Sequence, residues 1–342
     1  MPFAAGNSAR LLIDGKAVFD ALFAGIDGAT QYVLAQFFIV HDDEIGRAFQ
    51  AAHRQGVRVH FLYDEIGSAA LPRRYLRELC DAGVEARPFL TSRDLRNRFQ
   101  INFRNHRKIV EVDGRGAFVG GLNVGDEYLG RSARFGAWRD THVAISGPAV
   151  KAVQLSFVDD WHWSTGQMPQ LDWSVGPEQR GGKAVLVMPS GPVDRLDTCT
   201  LFFVHVIQSA RRRLWMTSPD FVPDEAILAA LQLAVLRGVD VRIMLPARWD
   251  HRLAWLASFS YLKDTLPWGV KMYRYQAGAG PVAGGGALRA GTSLCPWTRR
   301  CASHRADWQP DCAAVPKCAS SRLPRSAPAG RTRVIPLTVR PR

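Results

Sequence analysis

The sequence has no run approaching the roughly 20 consecutive apolar residues that a membrane-spanning helix requires. Its best candidate, Tyr32 to Val40, stops at His41, Asp42 and Asp43, so no segment is expected to cross a bilayer. The first ten residues lack the basic start and long apolar stretch of a secretory leader, which makes the cytoplasm the expected compartment. Cysteine is scarce. Of the six, Cys295, Cys301, Cys312 and Cys318 stand too far apart for close-paired zinc ligands, and a cytoplasmic chain is not expected to join them as disulfides. Intrinsic disorder and fibre are excluded as well, because 47% of the 342 residues are hydrophobic, enough for two domains with separate cores.

Charge is present in excess but unevenly placed. The net charge is +13, and Ala277 to Arg342 hold 11 Lys and Arg against 2 acidic residues. A basic surplus points to nucleic acid or anionic lipid, but one concentrated in an irregular tail says little about the folded part. That tail begins abruptly after Gln276: Gly284, Gly285 and Gly286 arrive together, Pro and Arg become frequent, and Phe and Tyr vanish. It is expected to be disordered.

Before the tail, the chain alternates strand and helix patterns. A helical stretch from Ala17 to Ala29 leads to an apolar strand from Tyr32, Asp42 and Asp43 offer a helix cap, and Val57 to Tyr63 alternates as a strand. A helix from Arg73 to Ala82 stops at Gly83 and is followed by a strand over Val84 to Phe89. The order then repeats. Thr200 to Ala210 is helical, Leu214 to Thr217 extended, and Pro223, Asp224 and Glu225 open a helix that ends at Gly238 before the strand Val239 to Leu245. Ala29, Glu44, Gly56 and Val57 align with Ala210, Glu225, Gly238 and Val239, and Gly83 with Gly269. This is an internal duplication of an α/β unit with a central sheet. Three regions are expected: a first domain over 1–170, a partial second over 171–276, and the tail over 277–342.

The segment NHRKIVEVDGRGAFVGGLNVGDEY, from Asn105, carries chemistry. It sets His106, Lys108 and Asp113 in the spacing H-x-K-x4-D and follows them with Gly120, Gly121 and Asn123. On a strand from His106 to Val112, residues two apart share a face, so the imidazole and the ammonium are expected to point into one cleft. A neutral imidazole can attack phosphorus, and a lysine ammonium stabilises the charge that develops on the phosphoryl oxygens. The glycines permit close backbone approach, and Asn123 can donate to the same phosphate. His142, His162 and His251 are expected to be incidental, and Trp138, Trp161 and Trp163 to pack in the core or cleft rather than form an interfacial belt.

With these residues in place the sequence resembles the bacterial cardiolipin synthases of the phospholipase D superfamily, from about Gly6 to Gln276. The resemblance includes FFIVHDDEIGRAF, the His106 motif, WRDTHVAISGPAV, MPSGP and SPDFVPDEAILAALQLAVLRGVDVRIMLPAR. It implies a duplicated α/β sandwich with mixed central sheets, and no metal or other cofactor. His106 is implied as the nucleophile that forms a phosphohistidine, Lys108 and Asn123 as phosphate holders, Asp140 as the carboxylate orienting the imidazole, and Asp113 as a structural partner. The implied reaction transfers a phosphatidyl group from one phosphatidylglycerol to another at a membrane surface, releasing glycerol; nucleic acid is not the expected partner. A second histidine, from a second H-x-K in the other half, is implied to protonate the leaving alcohol.

Here the sequence departs from the family. The only tail histidine, His304, is followed by Arg305 and Ala306, and Lys317 lies far beyond. A change of reading frame after Gln276 is the expected cause, and impaired activity and a marginal second half the expected consequences. The family's membrane-spanning start has no counterpart, so the expectation is either a truncated start or peripheral attachment at the membrane surface, helped by Arg10, Arg73, Arg74, Arg93, Arg96 and Arg98. Two alternatives stand beside the transferase: a phospholipase or nuclease of the same superfamily, and an inactive pseudoenzyme.

Overall fold

The computed structural model describes residues 3–41, 44–89, 105–132, 136–174, 176–177, 181–190, 197–247 and 252–275, and two short strands beyond them. The expected cap at Asp42 and Asp43, the side chains of Arg93, Arg96, Arg98 and His251, and almost all of the tail lie outside the described residues.

The first half follows the order β1 (Ala4–Ile13), α1 (Asp14–Asp27), β2 (Tyr32–Phe37), α2 (Glu44–Arg54), β3 (Arg58–Asp64), α3 (Arg73–Asp81) and β4 (Glu85–Phe89). It continues with β5 (Ile109–Val112), β6 (Gly116–Gly120), β7 (Arg139–Ser146), α4 (Val150–Thr165) and β8 (Lys183–Val185). The strands form one mixed sheet in the order β4-β3-β2-β5-β6-β7-β1-β8. Strands β2, β3 and β4 run parallel, while β5, β6, β7 and β1 alternate antiparallel beyond β2.

Both faces of the sheet are covered, which explains why β2 is buried at every position and reads as a continuous apolar run. Val33, Ala35 and Phe37 pack with Phe19, Leu22, Ile45, Phe49 and Leu79 from the three N-terminal helices. On the opposite face Tyr32 and Leu34 meet Phe157 and Trp161 of α4. Trp161 and Trp138 are thus buried as expected, whereas Trp163 is 53% exposed.

Beyond this sheet, α5 (Thr198–Ser209), β9 (Arg213–Thr217), α6 (Glu225–Leu236), β10 (Asp240–Pro246), α7 (Arg252–Ser260) and β11 (Lys271–Tyr275) repeat the helix and strand order. Strands β9, β10 and β11 are parallel, with β10 in the middle, as β3 lies between β2 and β4. Asp224 caps α6 by accepting from the Ile227 amide at 2.8 Å. The aligned glycines share one conformation: Gly56 and Gly238 have φ of 87° and 80°, and Gly83 and Gly269 of 92° and 94°. Each closes a helix where the left-handed region favours glycine. The second half buries a core of its own, with Phe203, Ile207, Ile227, Leu231, Val241, Ile243 and Met272 at its centre. Two strands complete the description: β12 (Val282–Ala283) beside β7 and β13 (Val334–Leu337) beside β11.

Asp113 is held by a set of hydrogen bonds. At the turn after β5 it adopts φ 54°, and its carboxylate accepts from the Thr30, Gln31 and Tyr32 amides at 2.8, 2.8 and 2.9 Å and from the Thr30 hydroxyl at 2.8 Å. Burial pushes this carboxyl up, but the hydrogen bonds from Tyr32, Thr30 and Gln31 outweigh it and hold the pKa below the ordinary value. Its stabilisation is therefore complete above the unfolded aspartate pKa and is lost as pH falls through the folded one. Asp113→Ala strands three amides and is expected to cost about 2–4 kcal/mol, read as a lower urea midpoint. A midpoint equal to that of the parent protein would contradict this role.

Candidate functional site

The topology brings one end of several strands together. The C-terminal ends of β2, β3 and β6 and the N-terminal ends of β5 and β7 all lie on the same edge of the sheet, because β5 and β7 run opposite to β2 and β6. His106 and Lys108 are on this edge, and so are Gly120, Gly121 and Asp140.

One local expectation is corrected. His106 and Lys108 do not belong to a strand, since β5 begins only at Ile109. The physical reason is that side chains hold the segment in place of a ladder. The Asn105 amide donates to Asp64 Oδ2 at 3.0 Å, Asn105 Nδ2 to Asp160 Oδ2 at 2.8 Å, and the Arg107 amide to Asn105 Oδ1 at 3.1 Å, an Asx turn. Arg107 Nη1 also bonds Asp160 Oδ2, which in addition accepts from Gln36 Nε2 at 2.7 Å. The two side chains nevertheless reach one place. The His106 ring stacks on Phe38, with centroids 4.0 Å apart and 29° between the planes, and Lys108 Nζ lies 5.3 Å from the centre of the same phenyl ring. Lys108 Nζ also donates to the His106 carbonyl at 2.7 Å.

Asp140, 1% exposed, lies within electrostatic reach of Lys108. Its Oδ1 accepts from the Thr141 amide at 2.6 Å, and its own amide donates to Asp14 Oδ1 at 3.2 Å. Burial pushes the Asp140 carboxyl up to about 7, partly offset by the Thr141 amide and the charges of Lys108 and Arg139. Lys108 moves the other way: burial pulls its ammonium down to about 8, against the carboxylates of Asp140 and Asp64. The site thus holds a cation and an anion poised close to neutrality, the arrangement expected of groups used in catalysis.

The glycines have a use that the sequence did not reveal. A Cβ on Gly120 would stand 2.2 Å from His142 Nδ1, and one on Gly121 would stand 2.5 Å from Asp140 Oδ1, so these residues leave room for the two β7 side chains. His142, set aside as incidental in the sequence, shares the face of Asp140 and is 1% exposed. Burial, helped by the Lys108 charge, drops its pKa to about 3, which keeps it a neutral imidazole. Asn123 is anchored at both ends: Oδ1 accepts from the Ile39 amide at 3.0 Å and Nδ2 donates to the Tyr128 hydroxyl at 3.1 Å. One of its two amide hydrogens remains for a ligand.

Asp64, Asp160, Gln36 and Phe38 were not legible as site residues. Each lies dozens of residues from His106 in the chain, and nothing in local spacing connects them. Among the described residues no group of three or more His, Cys, Asp or Glu side chains could hold a metal ion.

Known proteins resemble this chain. The family model described as cardiolipin synthase, phospholipase D-like domain matches residues 22–155 and 203–283. Cardiolipin synthase A of Pseudomonas putida strain W619 is 53% identical over 284 residues, which cover 81% of this chain and 59% of that protein. Cardiolipin synthase A of Pseudomonas fluorescens strain SBW25 is 51% identical over the same length. Among solved structures, the phosphatidylserine synthase of Haemophilus influenzae Rd KW20 superposes with a TM-score of 0.58 over 82% of this chain and 76% of that one, at 13% identity, a likeness of fold. The protein therefore has the duplicated α/β fold of the phospholipase D superfamily. Within it, the chain belongs to the cardiolipin synthase family, and it spans 59% of the length of the curated relatives named above.

Proposed function

We propose that this chain transfers phosphatidyl groups between phosphatidylglycerol molecules at a membrane surface through a covalent intermediate on His106. The single observation behind this reading is the convergence of His106 and Lys108 on Phe38, with the buried Asp140 within electrostatic reach of Lys108. A ring nitrogen of His106 attacks phosphorus and the bond to the leaving glycerol oxygen breaks. The hydroxyl of a second phosphatidylglycerol then displaces His106, so the number of phosphodiesters is conserved and free glycerol is the by-product. Lys108, with the remaining N–H of Asn123, meets the charge on the phosphoryl oxygens. The Asp140 carboxylate fixes the tautomer and direction of the imidazole. Gly120 and Gly121 keep the backbone beside the phosphate free of side chains other than those of β7. Because the second H-x-K of the family mechanism is missing from the sequence, the rate is expected to fall below that of a two-motif relative. No helix among the described residues is long and apolar enough to cross a membrane, and attachment to anionic lipid belongs to this proposal.

The test is to mix the protein with vesicles of phosphatidylglycerol, quench in alkali, and search for a phosphatidyl adduct by mass spectrometry. The adduct is expected on the peptide containing His106, with glycerol and cardiolipin as products. Glycerol or phosphatidic acid without cardiolipin would favour the phospholipase reading, and cleavage of single-stranded DNA in place of lipid the nuclease reading. Absence of any adduct and any product would mark a pseudoenzyme.

A further inference from the structure

A second imidazole and carboxylate pair stands at the same edge of the sheet, outside the residues assigned above. His41 Nδ1 lies 3.2 Å from Glu127 Oε1; the His41 side chain is 44% exposed and that of Glu127 17%. Both are fixed to the site by backbone. The His41 amide donates to the Val124 carbonyl at 3.1 Å, the Val124 amide to the Ile39 carbonyl at 3.1 Å, and Val40 and Val124 form a bridge. Between these bonds the Asn123 side chain holds the Ile39 amide and the Tyr128 hydroxyl. His41 is three residues from Phe38, the ring on which His106 stacks, a chain reach of at most about 11 Å. Directly beneath the pair is Gly125, where a Cβ would come within 2.6 Å of Glu127 Oε2 and 2.8 Å of His41 Nδ1. Only a residue without a side chain leaves room for the pair there.

We infer that His41 is a proton donor and acceptor for the alcohol groups of the phosphodiester reaction, and that Glu127 is its positioning residue; this rests on the function proposed above. With Nδ1 turned to Glu127, proton transfer falls to Nε2. In the first step His106 forms its bond to phosphorus while the phosphorus bond to the glycerol oxygen breaks, and the proton on Nε2 of the His41 imidazolium passes to that oxygen. Glycerol leaves neutral, and His41 is left neutral with its Nδ1–H on Glu127. In the second step the same Nε2 takes the proton of the incoming hydroxyl as its oxygen displaces His106, which restores the imidazolium. The pair thus supplies within the first half the kind of group that the family mechanism draws from the second. A half-exposed imidazole suits this role because both alcohols must enter and leave through solvent.

A proton donor matters for a poor leaving group and not for a good one, which separates this role from structural support. The full chain is assayed on phosphatidylglycerol vesicles, whose alkoxide needs protonation, and on bis(p-nitrophenyl) phosphate, whose phenolate departs without it. His41→Gln is expected to lower the ratio of the two rates about 100-fold, at the lower end of general acid catalysis. Glu127→Gln is expected to lower it by a smaller factor, about 10-fold. An unchanged ratio in His41→Gln, whether both rates fall together or neither falls, overturns the inference. If the parent protein cleaves the nitrophenyl ester but not the lipid, the inference also fails while His106 keeps its place as nucleophile. Cleavage of neither substrate overturns both readings.

Discussion

His106→Asn is expected to lower lipid transfer by at least about 10^4-fold and to abolish the covalent adduct, because the imidazole stacked on Phe38 is the attacking group of the proposed reaction. The fold has little stake in the substitution. His106 is exposed, and the segment that carries it is held by Asn105 and Arg107 rather than by the imidazole. Urea midpoints of variant and parent are therefore expected to agree while activity disappears. His106 and Lys108 act on one phosphoryl group, so their losses are not additive: the double variant is expected to be no slower than His106→Asn alone. Transfer within about threefold of the parent rate in His106→Asn would end the covalent reading.

The second large effect concerns Lys108 and the pH profile. Lys108→Met removes the cation that meets the phosphoryl charge and is expected to cost about 100- to 1,000-fold. The pH dependence follows from two groups of opposite sign. Asp140, pushed up to about 7 by burial, is a carboxylate only above that pH, so the rate rises as pH passes about 7. Lys108, pulled down to about 8 by burial, loses its charge as pH rises, so the rate falls beyond about 8. The result is a narrow bell. Arginine does not deprotonate in this range, and Lys108→Arg is expected to lose the alkaline limb while keeping the acid one, at a reduced maximum. A rate that is flat through this interval in the parent protein would show that neither group titrates in the rate-limiting step.

The sequence disclosed the fold where local chemistry decides it. β3 and β10 were visible because each follows a glycine that ends a helix and then runs apolar into the sheet, and α6 because Asp224 caps it. The duplication was visible for the same reason: Gly56 with Gly238 and Gly83 with Gly269 mark the same turn twice. The H-x-K-x4-D spacing singled out the proposed nucleophile and its cation, and the carboxylate that accepts from the Thr30, Gln31 and Tyr32 amides. The support of the site was not visible. Asp64 ends β3, Asp160 sits within α4 and Gln36 within β2, and only the folded topology brings them to Asn105 and Arg107. The strand expected at His106 failed for the same reason, since hydrogen bonds from distant side chains override a local extended pattern. His142 was passed over because only pairing with Gly120 across the ladder reveals that the glycine makes room for it. The tail was placed apart on composition alone, and the match to the family model ends at residue 283, close to where that change begins.

The suspension of the His106 segment from Asp64 and Asp160 has a dynamic consequence. The Asn105 amide is sheltered by a carboxylate from another element, whereas its neighbours in the sheet are sheltered by one another. Removing Asp64 can therefore raise the solvent exchange of the Asn105 amide, and of the Ile66 and Gly67 amides that its other oxygen accepts from, while the amides of β2 and β5 keep their protection. The His106 imidazole rides on a tether that can be loosened while the ladder of β2 and β5 stays closed.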